Sequence, residues 1–263
     1  VTRIVTPGTV VEEELLDAGR NNFLIAAKPV ENVVHLAWAD LSTGEMFSAC
    51  VNREALADEL TRISPREILV SEETEGVLGQ TGREAAETAL PAYLFDESAA
   101  RDRLKEYYRV ETLEGFGIGA GDIVGHIGAL IGYVQETQKG SGPTLSPPQD
   151  MNRRENMVLD ANALHNLEIL DEAGNRGRPG GLLKVLDECV TPMGRRTLRA
   201  WLTRPSADIE VLRRKHDVVE FFVKEPDLCE AVRNEIRNVQ DMERLTGKVA
   251  ALRASPRDVA AIG

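Results

Sequence analysis

The chain has 263 residues, 42% of them hydrophobic, and a net charge of −12, which suits one large or two modest folded domains. It contains no run of 18 or more apolar residues and no signal-like start, so we expect no membrane contact and a cytoplasmic location. Cys50, Cys189 and Cys229 lie far apart and outside any C-x-x-C spacing. This pattern argues against a disulfide framework and a zinc site.

The negative charge is concentrated in the first half of the chain. Residues 1–150 carry 12 Lys and Arg against 25 Asp and Glu, whereas residues 151–263 carry 19 against 18. Proteins that bind nucleic acid concentrate cations, because neutralising phosphates supplies most of their affinity. The first half is therefore poorly suited to hold DNA by itself, and a protein partner suits it better.

Short apolar runs separated by turn residues predict a mixed α/β domain over residues 1–146. The predicted strands, in chain order, are Phe23–Ala27, Val33–Ala39, Met46–Val51, Glu67–Val70 and Leu90–Phe95. The first three form an antiparallel meander. The predicted helices are Glu54–Ile63, Ser98–Tyr107 and Gly119–Lys139.

A change of composition predicts the domain boundary. The stretch from Lys139 to Asp150 contains Gly140, Gly142, Pro143, Pro147 and Pro148 among Ser, Thr and Gln, a composition that predicts neither helix nor strand. We place the boundary after residue 146, so that residues 147–263 form the second domain.

The second domain is predicted to be helical, because apolar residues recur there at helical spacing. The predicted helices are Thr191–Leu202, a helix starting at Ser206 or Asp208, Pro226–Arg237 and Asp241–Arg253. Ser255-Pro256-Arg257-Asp258 then gives the start signal of a further helix, and the sequence stops five residues later. With no initiator Met at the front, we expect an excised fragment of a longer protein.

Each of the two predicted domains contains a group of distinctive short motifs. The first comprises Arg3-Ile4-Val5-Thr6-Pro7-Gly8-Thr9, Glu14-Leu15-Leu16, Asn21-Asn22 and Asp40-Leu41-Ser42-Thr43-Gly44. The second comprises Leu159-Asp160, Asn166-Leu167-Glu168, Leu182-Leu183, Val185-Leu186-Asp187, Thr191-Pro192-Met193-Gly194-Arg195-Arg196, Leu198, Trp201-Leu202 and Pro205. The first is similar to the start of the connector domain of MutS, and the second to the opening of its core domain.

The resemblance implies an RNase H-like α/β connector domain over residues 1–146. Residues 147–263 would then be the first part of an all-α core domain, ending before the clamp. It implies a non-catalytic segment of a mismatch-repair ATPase, one that docks MutL and transmits state between DNA and nucleotide sites. The Phe-x-Glu mismatch reader would precede Val1, and the site for ATP and Mg would follow Gly263. Mismatched DNA would be contacted only through those other domains, and the full-length protein would be a homodimer.

The sequence lacks a phosphate-binding loop. The only Gly-Lys pair is Gly247-Lys248, and Met242 occupies the position where the P-loop spacing requires glycine. The alternating Gly115, Gly117, Gly119 and Gly121 do not fit a dinucleotide motif either, and we interpret them as a flexible approach to the next helix. We therefore expect no cofactor in this chain.

A metal-dependent RNase H-like nuclease is the alternative function. Asp40 ends a predicted central strand, Glu59 lies on the following helix, and Glu72 and Glu73 end the fourth strand. A two-metal site needs acids on neighbouring strand ends, and only Asp40 is well placed for that. The Ser42-Thr43-Gly44 turn also accounts for Asp40 without catalysis, so we favour the non-catalytic function.

Three other groups of residues admit more than one interpretation. His35, His126, His165 and His216 lack paired ligand spacing, so we expect no metal on them. The basic strip of Arg195, Arg196 and Arg199 fits DNA contact but is better explained by solvation or ion pairs. DNA binding by the helical half stays a third hypothesis, to be tested by its salt dependence. Trp201 is expected in the core.

The helix predicted over Gly119–Lys139 carries the candidate docking face. Gly125, Gly128 and Gly132 share a side of this helix, flanked by Gln135 and Glu136, while Ile127, Leu130 and Val134 share another. Several glycines in a helix interior cost up to about 1 kcal/mol each and call for a compensating reason. Close packing within the chain and docking of a partner both supply one, and the family resemblance favours docking of MutL.

Overall fold

The computed structural model describes residues 3–74, 76, 85–139, 142–152, 156–157, 159–170 and 180–262. Its first part is built on a six-stranded sheet of order β5-β4-β1-β2-β3-β6. The strands are β1 (Phe23–Val30), β2 (Val33–Asp40), β3 (Glu45–Asn52), β4 (Glu67–Ser71), β5 (Ala86–Leu90) and β6 (Gln149–Asp150). The first three pair antiparallel, which confirms the predicted meander, and the other pairings are parallel.

Helices cover both faces of the sheet. They are α1 (Leu56–Ile63), α2 (Glu97–Tyr108) and α3 (Gly125–Gln138). Because side chains alternate along a strand, Leu24 and Ala26 of β1 contribute to one apolar cluster, which includes residues of α2 and α3. Ile25 and Ala27 contribute to the other cluster, which includes residues of α1. Mixed strands with a helix layer on each face confirm the predicted α/β class.

Three predicted elements of this part are wrong in detail. The fifth strand is Ala86–Leu90 and not Leu90–Phe95, because the residues after Pro91 form a 3-10 turn that buries Leu94 and Phe95. Helix α3 begins at Gly125 and not at Gly119, since Glu97 of α2 accepts hydrogen bonds from the amides of Val124 and Gly125.

The third correction is β6, which lies in the stretch predicted to hold neither helix nor strand. It pairs in parallel with Phe47 and Ser48 of β3. Gly140, one of the residues on which the boundary prediction rests, lies outside the described residues. Because β6 follows residue 146 and still joins the sheet, the sheet extends past the predicted domain boundary, and the boundary itself stays a prediction.

The second part is helical, as predicted. Its helices are α4 (Ala161–Asn166), α5 (Leu182–Leu186), α6 (Pro192–Thr203), α7 (Ile209–Lys224), α8 (Pro226–Ile236), α9 (Met242–Ala250) and α10 (Pro256–Ala260). The caps follow the sequence: Thr191, Asp208, Asp241 and Ser255 each accept a hydrogen bond from a backbone amide in the first turn. Among the described residues, no helix combines the length and apolar content required to cross a membrane.

Candidate functional site

Three of the four motifs in the first group meet around the buried carboxylate of Asp40, at the end of β2. One oxygen of Asp40 accepts hydrogen bonds from the side chain of Asn21 and the amide of Asn22, both at 3.0 Å. The other accepts from the amide and hydroxyl of Ser42, at 2.9 and 2.6 Å. The Asn22 side chain in turn donates to the carbonyl of Pro7. These motifs therefore form one connected structure that fixes the turn after β2.

A second buried carboxylate, Glu67 on β4, anchors the N-terminal segment. It accepts hydrogen bonds from the hydroxyl of Thr6 and the amide of Gly8, and on its other oxygen from Thr88 and Tyr133. Burial and, after it, the hydrogen bond to Glu67 raise the pKa of Tyr133 to about 12. The segment before β1 is thus an integral part of the sheet domain.

The turn fixed by Asp40 packs against α9 of the helical part. A Cβ atom added to Gly247 would lie 2.5 Å from the carbonyl oxygen of Ser42, so only glycine allows this approach. The adjacent Lys248 forms ion pairs with Glu13 and Asp258, at 3.1 and 3.4 Å. The Gly-Lys pair is therefore a packing contact between the two parts.

Arg196 is the centre of the junction between the two parts. Its guanidinium is 4% exposed, and it donates two hydrogen bonds of 2.7 Å to the two oxygens of Asp241. It also pairs with Glu243 and donates to the carbonyl of Ala18 at 3.1 Å. Burial opposes its charge, but the hydrogen bonds and charges of Asp241 and Glu243 outweigh burial and raise the pKa of Arg196. The same pairing keeps the pKa of Asp241 below its usual value, although burial acts in the opposite direction.

Two further arginine contacts join the parts. Arg244 of α9 is buried and donates to the carbonyls of Asp17 and Arg20, both at 2.9 Å. In addition, Glu59 of α1 pairs with Arg62 and with Arg204, which follows α6. The junction is therefore built from buried arginines whose partners are carboxylates and backbone carbonyls.

The arginines of the basic strip predicted on α6 differ in burial and in their partners. Arg196 is engaged in buried ion pairs, which confirms the ion-pair interpretation at that position. Arg195 is half exposed and pairs with Asp187 at 3.4 Å. The prediction that Trp201 lies in the core is wrong, because its side chain is 50% exposed. Lys215 lies over the Trp201 ring, with its Nζ atom 3.7 Å from the ring centroid.

The candidate docking face requires a correction at its three glycines. Gly125, Gly128 and Gly132 are buried. A Cβ on Gly128 would overlap the Cβ of Ala100 in α2 and lie 2.7 Å from its Cα, and the Arg103 guanidinium donates to the carbonyl of Gly128. The glycines therefore allow α2 and α3 to pack closely, and they are unavailable to a partner.

Gln135 and Glu136, the other two residues of the candidate face, are exposed at the C-terminal end of α3. A partner contact through them stays a prediction. Ile127, Leu130 and Val134 are buried in the apolar cluster on the opposite side of α3, as predicted.

The acids considered for a nuclease do not support that alternative. Asp40 accepts four hydrogen bonds from protein groups, which accounts for both of its oxygens. Glu59 is neutralised by Arg62 and Arg204. Within the described ranges, no three His, Cys, Asp or Glu side chains are placed to hold a metal ion together.

Two histidines contact each other inside the sheet domain. The rings of His35 and His126 lie 5.5 Å apart between centroids. His126 is buried, and its Nδ1 atom is buried without a hydrogen-bond partner among the described residues. Burial, with smaller contributions from the charges of His35 and Lys28, lowers the pKa of His126 to about 3. His126 is thus a neutral core residue.

Two family models match successive segments of the chain. Residues 22–148 match the model of MutS domain II, and residues 162–263 match that of MutS domain III. The chain aligns along its whole length with the DNA mismatch repair proteins MutS of Dinoroseobacter shibae, Ruegeria pomeroyi and Paracoccus denitrificans, at 39%, 40% and 39% identity. It spans 30% of the length of each of these relatives. The two domain matches and the alignments over the whole chain show that this protein belongs to the MutS family of DNA mismatch-repair proteins.

Proposed function

We propose that this chain is the non-catalytic part of a cytoplasmic DNA mismatch-repair protein that links its other domains and transmits changes of state between them. The sheet, with its leading antiparallel meander and the parallel strands β4 and β5, supports an RNase H-like connector. The complete protein would be a homodimer. Its other domains would bind mismatched DNA, and ATP with Mg. This part would set how the connector and the core helices are oriented.

The observation that carries this proposal is the Arg196 junction. One guanidinium contacts the loop before β1 through Ala18 and the N-terminal turn of α9 through Asp241 and Glu243. A buried charge that loses any of these partners is strongly destabilised, so the junction favours one relative position of the three segments. A movement of α9 would therefore be transmitted to the sheet domain.

The test uses a full-length MutS protein that carries this segment, with Arg196→Ala as the variant. Nucleotide-induced release from a mismatched duplex is measured together with binding in the absence of nucleotide. We expect binding to be retained and nucleotide-induced release to slow by about tenfold or more, because the binding domains are intact while the link is loosened. Arg195→Ala, at the neighbouring exposed position, is the control. Release at the parent rate in both variants would contradict the proposal.

Docking of MutL on the sheet domain is the second element of the proposal. It is supported by the acidic composition of residues 1–150 and by the exposure of Gln135 and Glu136. Charges at the edge of an interface act mainly on encounter rate and specificity. Glu136→Lys should therefore slow association of the chain with the N-terminal region of the cognate MutL. Glu114→Lys makes the same charge change at another exposed position. If both variants slow association equally, the net charge of the chain accounts for the effect. If Glu136→Lys leaves the association rate unchanged, Glu136 is not part of the contact.

A further inference from the structure

A cleft of about 350 Å³ lies between the sheet and α6, next to the junction. Its arginines are Arg20, Arg62, Arg66, Arg196, Arg199 and Arg204. Among the described residues, the acids that line it are Glu45 and Glu243, and both interact with Arg196. The cleft therefore carries an excess of positive charge in a chain whose net charge is −12.

Half of these arginines are neutralised inside the protein. Arg196 pairs with Asp241 and Glu243, and Arg62 and Arg204 share Glu59. The excess charge thus belongs to the other three, Arg20, Arg66 and Arg199.

Those three arginines have little or no compensation. Arg20 has a long ion pair with Asp17, 3.7 Å between Nε and Oδ2, and Arg66 is exposed at the rim. Arg199 is half-buried on α6 and has no ion-pair partner within the described part of the chain. Burial lowers the pKa of Arg199, and repulsion by Arg20 adds to this effect, against a smaller attraction by Asp17. Arg199 is half-buried and Arg20 is exposed, and an anion bound next to both would offset their mutual repulsion and the cost of burying Arg199.

We propose that this cleft binds a phosphorylated ligand of nucleotide size, whose phosphate group lies between Arg199, Arg20 and Arg66. Arginine presents planar pairs of N–H donors that match phosphate oxygens, and a doubly charged phosphate balances several cations better than a single carboxylate does. The half-buried rings of Phe23 and Phe47 give the cleft an apolar wall suited to a flat base. The volume is in the range of small-molecule sites. This proposal goes beyond the linking function, although Arg196 and Glu243 of the junction also line the cleft.

The chain contains its own reporter for this site. Its two tryptophans, Trp38 and Trp201, both line the cleft. Tryptophan fluorescence of the full chain is titrated with inorganic phosphate, with dAMP and ATP, and with a 5′-phosphorylated oligonucleotide. We expect saturable binding of the mononucleotides, with competition by inorganic phosphate.

Variants connect the signal to the arginines. Arg199→Gln should weaken mononucleotide binding by about tenfold or more, since a charge-assisted hydrogen bond is lost. Arg195→Gln removes a neighbouring charge on α6 that does not line the cleft and should leave binding unchanged. Arg66→Gln, at the rim on the sheet side, gives an independent variant should Arg199→Gln fail to fold.

The outcomes separate the alternatives. Mononucleotide binding that weakens in Arg199→Gln or Arg66→Gln, and not in Arg195→Gln, supports the proposal. Binding of the oligonucleotide without binding of mononucleotides would assign the cleft to a nucleic-acid backbone and overturn a small-ligand site. Unchanged fluorescence at millimolar ligand, or equal weakening in all three variants, would also overturn it.

Discussion

The sheet domain and the helical part differ in how they bury apolar surface. Both faces of the sheet are covered, and α3 is buried along most of its length. In contrast, none of the described residues of α7 and α8 is buried, and Val218, Phe221 and Val223 are at least half exposed. Helices draw most of their stability from packing, so the helical part depends on neighbours to a degree that the sheet domain does not.

The junction between the two parts differs from both in its chemistry. Arg196, Arg244 and Arg204 contribute charged hydrogen bonds, while the apolar faces of α7 and α8 remain exposed. Buried ion pairs add little net stability but penalise any arrangement that leaves a charge unpaired. The junction therefore specifies orientation, and the apolar core of the sheet domain provides most of the stability.

The largest effect on the free energy of unfolding is expected from a substitution that disrupts the close packing of α2 on α3. Gly128→Arg places a side chain where Ala100 lies and brings a charge into the core, so it should destabilise the sheet domain by more than about 4 kcal/mol. Gly121→Ala is the control, because a Cβ there meets no atom within 4 Å. Denaturant unfolding measures both. A Gly128→Arg protein that unfolds like the parent would mean that this side of α3 is open after all.

The next effect concerns the junction. Arg196→Ala leaves Asp241 buried without its bidentate partner, and we expect a loss of about 3 kcal/mol in the unfolding free energy of the helical part. Arg195→Ala removes a half-exposed ion pair and should cost less than about 0.5 kcal/mol. Thermal melts of the two variants distinguish these losses. Equal losses would show that the burial of Arg196 has no energetic consequence.

A smaller, pH-dependent effect tests the core of the sheet domain. His126 has a folded pKa of about 3 against an ordinary 6.5, so the unfolded state takes up its proton first as pH falls. The stability linked to this group is complete above pH 6.5 and decreases between pH 6.5 and about 3. By pH 4.5, two units below the ordinary value, the loss should reach about 3 kcal/mol, at about 1.4 kcal/mol per unit.

Replacement of the ring isolates this contribution. His126→Phe should reduce the fall in stability across that pH range, while His216→Gln, at an exposed position of α7, should preserve it. His35, whose pKa burial also lowers, contributes in the same direction and remains in both variants. If the free energy of unfolding falls equally with pH in the parent and in His126→Phe, the account of His126 as a neutral buried histidine is wrong.

The smallest effect on stability is expected in the helical part. Val218→Ser and Phe221→Ser change exposed positions of α7 and should alter the unfolding free energy by less than about 0.5 kcal/mol. Both should reduce binding of a hydrophobic dye, since they interrupt an exposed apolar face. Glu210→Ser on the same helix is the control. We also expect residues 151–263 alone to bind more dye than residues 1–146 alone.

Local patterns predicted the regular elements of this chain well. The apolar run Val33–Ala39 and the caps at Thr191 and Asp208 depend on neighbouring residues only, and the structure has those elements. The strand Ala86–Leu90 was missed because its alternation is weak, and the apolar run after it forms a 3-10 turn instead. Packing decides such cases, and packing partners are distant in sequence.

The junction and the glycine face show the same limit. A helical pattern places three glycines on one side of α3, but it does not reveal that α2 covers them. Likewise, nothing near Arg196 in sequence indicates that Asp241 and Ala18 meet it. The motif resemblance includes Arg196 but not the glycine face, and in both places the contacts explain why those residue types are needed.

Amide hydrogen exchange on the full chain tests most directly whether the buried arginine junction holds the helical part to a self-sufficient sheet domain. In Arg196→Ala, protection should fall in the loop before β1 and in α9, while α3 keeps the protection of the parent chain. Arg195→Ala should leave all three segments unchanged. If α3 loses protection together with α9, the sheet domain is not independent. If α9 and the loop keep theirs, Arg196 does not join the two parts.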